Sequence, residues 1–405
     1  MKLPELLAPA GDMERLSFAY KYGADAAYIG CGDYSLRAGT GFGLAEIEAA
    51  VRLAHGQNKK LYAALNVFAG NDDIAALPDY IRRLAQLGPD ALIVSDPGVF
   101  DLAREYAPAI GLHISTQANN TNWRSARFWA RQGASRVVLA RELPYAQAAA
   151  IAALGGLQTE IFVHGAVCIS YSGRCLLSSF MTARDANHGA CSHPCRWQYA
   201  LCEQRRPGEY FAIEQDERGS YILNSRDLCL IGRIPELCAG GFDSLKIEGR
   251  NKSAYYVANC LRIYRAALDA YAADPDAFSC AEKWRNELAK VSHRGYCEGF
   301  FAGAPAEDAY RYDDGGYERE YDFCALALAY DGERLHLEQR NHLSAGDMLE
   351  ILLPSDEHLC LELHDLREED GAPIAAAPHP RQHISVAAAE LPELPLPLIC
   401  RRRVK

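Results

Sequence analysis

Between residues 4 and 165, seven short apolar or β-branched runs alternate with helix-length segments, a rhythm that predicts βα units and a parallel sheet. The predicted strands run from Glu5 to Ala8, Ala26 to Ile29, Leu61 to Val67, Ala91 to Ser95, Leu112 to Thr116, Arg136 to Ala140 and Glu160 to Val163. Helical patterns lie between them near Asp12 to Tyr22, Leu44 to His55, Ile74 to Leu87, Pro97 to Tyr106, Trp123 to Gln132 and Tyr145 to Leu154. Several of these stop at a glycine (Gly23, Gly88, Gly133), where a left-handed cap is expected. The phrases GADAAYIG, GPDALIVSD and GASRVVLARE repeat that passage from glycine into strand. An eighth strand, Ser244 to Ile247, and a long helix, Ser253 to Tyr271, come only after a detour. The economical fold class is α/β, a (β/α)8-type barrel, with a doubly wound sheet as the alternative.

On the barrel reading, the detour from Gly165 to Asp243 is an insertion after strand 7, leaving the barrel face where active sites sit. The barrel with its insertion is expected to occupy residues 1–303. From residue 304 to 405 an Asp- and Tyr-rich linker leads into short alternating runs, ALALAY, RLHLEQ, MLEILLP and HISVAAA, which predict a small antiparallel β domain.

The insertion carries Cys168-x6-Cys175-x15-Cys191-x3-Cys195 among Gly, Ser, Arg and His. No charged start with a long apolar run opens the chain, and no run of about 18 apolar residues occurs, so a soluble, cytoplasmic protein is expected. In that compartment the 14 cysteines are not a disulfide framework, and a cluster of four points to metal. Four thiolates suit Zn²⁺ or an iron–sulfur cluster. The wide first gap leans toward the cluster, because zinc knuckles are usually closer, but spacing leaves both open. Cys31, Cys202, Cys238, Cys260, Cys280, Cys297, Cys324, Cys360 and Cys400 are expected to be small buried or half-buried hydrophobes.

A net charge of −11 argues against a surface coated for non-specific nucleic-acid binding. Locally the balance reverses: Arg174, Arg184, Arg196, Arg205 and Arg206 outnumber Asp185 and Glu203 beside the cysteines. With Tyr171, Trp197 and Tyr199 they offer charge and stacking to RNA, although packing in a local core is the commoner use of such aromatics. Arg401, Arg402 and Arg403 read as a solvated tail.

The segments FVHGAVCISYSGRCLLSS, GACSHPCRW, RPGEYFAIEQDERGSYILNSRDL and SLKIEGR, with LLAPAGD at the start and HRGYCEGF later, resemble the collagenase-like peptidase family, in particular its tRNA-hydroxylation (TrhP-type) branch. That resemblance runs from the N-terminus into the C-terminal domain. It implies a barrel-type catalytic region, a 4Fe–4S cluster on Cys168, Cys175, Cys191 and Cys195, and prephenate-dependent hydroxylation at carbon 5 of uridine 34 in tRNA. An electron donor is a further expected partner, and no membrane is. The chain departs from the branch at two places. The segment between CRW and RPGEY is short, and Cys229 stands in NSRDLC, where a related ubiquinone-hydroxylation branch takes its fourth ligand. Cys229 is therefore a rival to Cys195.

Polar residues at the predicted strand ends furnish the rest of a site: Asn66, Asp96, Gln117, Asn119, Arg141, Glu142, Lys246, Glu248 and Arg250. His164, read as directly following strand 7, is a catalytic candidate together with Glu248 and Arg250. His193, between two proposed ligands, is expected behind them or in solvent. Prephenate is a dicarboxylate, which would call for cationic clamps; Arg141, Lys246 and Arg250 are the candidates, with Gln117, Arg174 and Arg196 as further substrate contacts. An internal ion-pair network, for instance Lys246 or Arg250 with Glu142, competes as their explanation. Neither HExxH nor GxSxG occurs, so peptidase chemistry has no local motif; the near alternatives are hydroxylation of a ribosomal RNA base or a ubiquinone precursor, or RNA binding by a metal-bearing module without catalysis.

Overall fold

The computed structural model describes residues 3–35, 41–167, 177–182, 184, 191–197, 200–202, 210–212, 224–303, 310–311 and 317–404. The chain forms two compact units that alternate along the sequence. The first takes Met1–Leu16, Asp25–Asn251 and His293–Tyr317; the second takes Ser17–Ala24, Lys252–Ser292 and Glu318–Lys405.

Eight parallel strands close on themselves in the first unit: β1 Glu5–Pro9, β2 Ala26–Cys31, β3 Lys60–Leu65, β4 Ala91–Val94, β5 Gly111–Ile114, β6 Arg136–Val138, β7 Gln158–Gly165 and β8 Ser244–Ile247. Closure comes from β8, which sets Ser244 against Glu5 of β1 on one side and against Glu160 of β7 on the other. The barrel read from the sequence is therefore the fold. Its helices α1 Met13–Lys21, α2 Leu44–Gly56, α3 Asn71–Leu87, α4 Pro97–Tyr106, α5 Trp123–Gln132 and α6 Tyr145–Ala152 follow the strands in turn. Side-chain caps start two of them: Asp96 accepts from the amides of Gly98 and Val99, and Asn122 from those of Arg124 and Ser125. Gly88 and Gly133 end helices in the left-handed conformation, as their positions predicted.

Strand 7 is longer than its apolar run. His164 lies within it, not after it, because the short strand Asp227–Cys229 pairs antiparallel with its end and places Cys229 opposite His164. That short strand also runs parallel to Tyr296–Cys297. No helix among the described residues is long and apolar enough to cross a membrane.

The barrel interior is partly ionic. Ala26, Ala64 and Ala91, packed with Tyr28 and Tyr62, are small and leave room for long side chains. Into that space point Glu160, with no solvent exposure, and Arg136 and Lys246, nearly as buried. Lys246 donates to Glu160 at 2.7 Å; Arg136 donates to Glu160 at 3.0 Å and to Glu5 at 2.8 Å. Tyr62 completes the set, donating to Glu5 at 2.7 Å. Burial pushes the Glu160 carboxyl up, but Lys246 and Arg136 outweigh it and hold it down at about 2.

The second unit pairs the helices Ala254–Ala273 and Glu282–Ala289 with a seven-stranded antiparallel sheet, whose long strands include Tyr321–Tyr330, Arg334–Gln339 and Leu398–Arg403. The terminal arginines are not a solvated tail. Arg401 has no solvent exposure and pairs with Glu287 at 2.8 Å, while Arg402 pairs with the buried Asp347. A partner carboxylate on the neighbouring elements is what makes their burial tolerable. Cys31, Cys260, Cys324 and Cys400 are buried and Cys238, Cys280 and Cys297 half-buried, but Cys360 is exposed because it sits on the outer strand of the sheet, His358–Glu362.

His113 of β5 stands edge-on to Tyr62, 4.7 Å between ring centres. Burial first, and then the charge of Arg136, lower its pKa from 6.5 to about 3. The unfolded chain binds this proton below about pH 6.5 while the folded chain refuses it until near pH 3, so the stability is fully present above 6.5 and is lost as pH falls. Between pH 7 and 5 the wild type is expected to lose about 2 kcal/mol more than His113→Leu, measured from urea midpoints at the two pH values.

Candidate active site at the barrel mouth

A cleft partly open to solvent lies at the C-terminal ends of the strands. Tyr28 enters it from β2, Asn66 follows β3, Ser115 and Gln117 follow β5, Phe162 comes from β7, and Lys246, Glu248 and Arg250 come from β8 and the turn after it. This is the face at which barrel enzymes assemble their sites.

From the segment SLKIEGR, Lys246 near the end of β8 and Glu248 just beyond it both reach the cavity. The Lys246 ammonium lies 4.2 Å from the Tyr28 ring centre while bonded to Glu160, so its charge is balanced from below. The competing ion-pair explanation was thus right for Lys246, with Glu160 and not Glu142 as its partner. Tyr28 donates its hydroxyl to the Glu248 carboxylate at 3.0 Å. Arg250, buried at the rim, donates to Ser35 at 3.4 Å, and its guanidinium lies 5.8 Å from the Tyr28 ring centre. Gly30 makes room for it: a Cβ there would sit 2.5 Å from an Arg250 nitrogen. The Gln117 side-chain oxygen accepts from Asn66 at 3.2 Å and from Ser115, which turns its amide N–H groups to the remaining directions.

Among the described residues, His164 and Arg141 do not line this cavity. The buried His164 ring packs on Tyr296, 5.2 Å between centres, and Tyr296 stacks on His293 at 4.3 Å. The next residue, Gly165, has φ +111°, and a Cβ on it would lie 2.4 Å from the Glu248 carbonyl oxygen, so only glycine lets the two strand ends approach here. Arg141 donates to the Ala166 carbonyl at 2.8 Å and lies over Phe162, which ties it to the root of the insertion.

Of the thiols, Cys168 and Cys175 lie outside the described residues, as do Tyr171, Arg174, Tyr199, Arg205 and Arg206 and the side chain of Arg196. Cys191, Cys195 and Cys229 are half-buried. Cys191 accepts the backbone N–H of His193 at 3.4 Å, and the left-handed His193 leads into the turn Pro194–Arg196 that carries Cys195. The helix Leu177–Thr182, which begins two residues after Cys175, is bonded to this loop: Ser192 donates its amide to Ser178 at 3.0 Å, and Thr182 meets the Ser192 hydroxyl at 2.7 Å. Those bonds bring the chain beside Cys175 to the chain beside Cys191, which fits a shared soft-metal site. Trp197 is 45% exposed and so is no part of a local core.

Comparison with known proteins places this geometry. The model of peptidase family U32 matches residues 11–311, and that of the peptidase family U32 C-terminal domain matches residues 319–397. The chain belongs to peptidase family U32. Among its relatives, tRNA hydroxylation protein P1 of Bacillus subtilis is 40% identical over 384 residues, covering 94% of this chain and 91% of that one. The tRNA hydroxylation protein P of Escherichia coli is 35% identical, covering 92% and 91%. The 23S rRNA 5-hydroxycytidine C2501 synthase of Escherichia coli is 35% identical over 76% of this chain and 47% of its own length.

The U32 barrel holds functional groups that motif reading passed over: Glu160, Arg136, Tyr28 and Ser115. Their signal was present, since each charged one stands alone in an apolar parallel strand (SRVVLA, TEIFVHG), where an unpaired charge is prohibitively costly. The peptidase label finds no support in Ser178, whose hydroxyl is engaged with Ser192 at 3.0 Å. Glu160→Gln is expected to destabilise the protein by roughly 3–5 kcal/mol in denaturant unfolding, because Lys246 and Arg136 keep their charges and lose the anion between them.

Proposed function

We propose that this U32 protein is an RNA hydroxylase, and specifically that it hydroxylates carbon 5 of uridine 34 in tRNA, with prephenate as co-substrate and a 4Fe–4S cluster on Cys168, Cys175, Cys191 and Cys195. The observation that carries the proposal is the match, over more than nine-tenths of both chains, to relatives named tRNA hydroxylation proteins. The cavity is consistent with it. Arg250, which lines the cavity at its rim, is the residue we assign to a carboxylate of the co-substrate, its planar guanidinium suiting a two-point contact. Glu248, steadied by Tyr28, is placed to hold or accept a proton at the ring of a base in the cavity, and the Gln117 amide to donate to a base carbonyl. A four-cysteine cluster would supply electron transfer and order the insertion. An electron donor is its implied partner.

Mass spectrometry of tRNA nucleosides tests the substrate. In a strain lacking this gene and any parallel oxygen-dependent route, 5-hydroxyuridine-derived nucleosides are expected to vanish, to return with the wild-type gene, and not to return with Arg250→Ala. Their persistence in the double deletion would refute the proposal. Iron and sulfide analysis of anaerobically purified protein tests the ligands: Cys195→Ala is expected to lose iron and Cys229→Ala to keep it, and the opposite result transfers the fourth position to Cys229.

A further inference from the structure

Helix α5, WRSARFWARQ, contains three arginines and no acidic residue, in a chain of net charge −11. Trp123, Arg127 and Arg131 fall in one row at four-residue spacing, with Arg124 and Phe128 in the adjacent row, so all five share one face. Ala126 and Trp129 are the buried residues on the other side. Trp123 is 43% and Phe128 46% exposed, and all three arginines are exposed. The guanidinium carbons of Arg124 and Arg127 lie 4.8 Å and 5.8 Å from the Trp123 ring centre. Among the described residues none of the three arginines is in an ion pair, so three exposed cations lie together on one helix without a carboxylate partner.

Packing accounts for only part of this face: Phe128 meets Trp129 edge-on, 5.3 Å between ring centres, yet Phe128 and Trp123 each keep more than two-fifths of their surface in water beside three arginines without an ion pair. Anionic phosphate with flat bases is the chemistry that complements both features, because guanidinium takes phosphate oxygens and an indole offers a stacking platform. A symmetric contact of this face with a second copy is disfavoured, since it would bring two arginine patches of like charge together. Position strengthens the case. The helix begins six residues after Gln117, and its first turn, with Trp123 and Arg124, is at the end of the barrel where the cavity opens.

We propose that this face of α5 docks the RNA strand that flanks the nucleotide in the cavity, with Arg124, Arg127 and Arg131 on phosphates and Trp123 stacked on a base. The proposal rests on the RNA-substrate reading above and adds where the RNA is held. The test uses full-length, cluster-loaded protein and a fluorescein-labelled tRNA transcript with uridine at position 34, followed by anisotropy over a range of salt. The triple reversal R124E/R127E/R131E is expected to weaken binding at least about tenfold at low salt and to reduce the slope of log K against log salt by about 2–3, close to one for each phosphate no longer neutralised. Trp123→Ala is expected to weaken binding about fivefold or more at unchanged slope. The same net change made at the exposed Arg52, Arg83 and Arg104 is expected to leave the slope as in the wild type.

Thermal melts and iron content that match the wild type show that these surface variants fold. If wild-type protein binds and modifies tRNA while the α5 reversal keeps its affinity and slope, or loses no more than the control reversal, the docking face is overturned and the hydroxylase reading stands. Self-association of the wild type that the α5 reversal abolishes, with RNA binding intact, also overturns it in favour of a protein contact. A wild type that neither binds nor modifies tRNA removes the RNA reading, and this proposal with it.

Discussion

A single carboxylate, Glu160, holds the ionic interior of the barrel together. It has no solvent exposure, and it is bonded to Lys246 of β8 at 2.7 Å and to Arg136 of β6 at 3.0 Å. A charge so deeply buried is tolerable only with partners on both sides, and those partners come from the strands flanking β7. The network therefore cross-links β6, β7 and β8 beneath the cavity floor. Above it, at the rim, Arg250 donates to Ser35 and is given its space by Gly30.

The architecture was legible because each barrel strand is a short apolar run entered from a helix end, and that period survives whatever the loops do. Glu160 was not legible as a network centre for the opposite reason. Sequence places it in a strand with the right facing, but its partners stand in two other strands and are brought beside it only by barrel closure. Lys246 illustrates the same limit, since its pairing with a carboxylate could be anticipated while the identity of that carboxylate could not. Arg401 and Arg402 looked like a loose end because three successive arginines close the sequence, yet Glu287 and Asp347 receive them in a sheet strand. His164 was displaced from loop to strand by a partner segment more than sixty residues away, an effect that no local pattern carries.

The insertion is anchored more firmly than its glycine-rich composition suggests. Asp227–Cys229 adds a strand to the end of β7, Asp227 receives Arg294 at 2.8 Å, and Gly165 lets the Glu248 carbonyl approach. The loop that begins after β7 is thereby clamped at its exit and at its return. The bonds from Ser178 and Thr182 to Ser192 then fix the middle of the insertion to the turn bearing Cys195. Those bonds involve serine and threonine hydroxyls and a backbone amide, and leave the Cys191 and Cys195 sulfurs out of them.

Three features consequently leave the barrel at one end: the cavity, the cysteine-bearing insertion and the first turn of α5. Their chemistry differs, carboxylate and amide in the cavity, thiols in the insertion, guanidinium and indole on the helix, and a small substrate would need only the first two. The charge pattern makes the third informative. In an acidic chain, three exposed arginines on one helix make a local positive patch suited to an anion, and a polyanion that also offers one base to the cavity would meet both sites through a single ligand. If the proposed RNA docking holds, the barrel would contribute recognition by Gln117, Glu248 and Arg250 at one nucleotide, while the affinity that brings the nucleotide there would be generated outside the cavity, on a helix whose sequence reads at first as an ordinary amphipathic packing element.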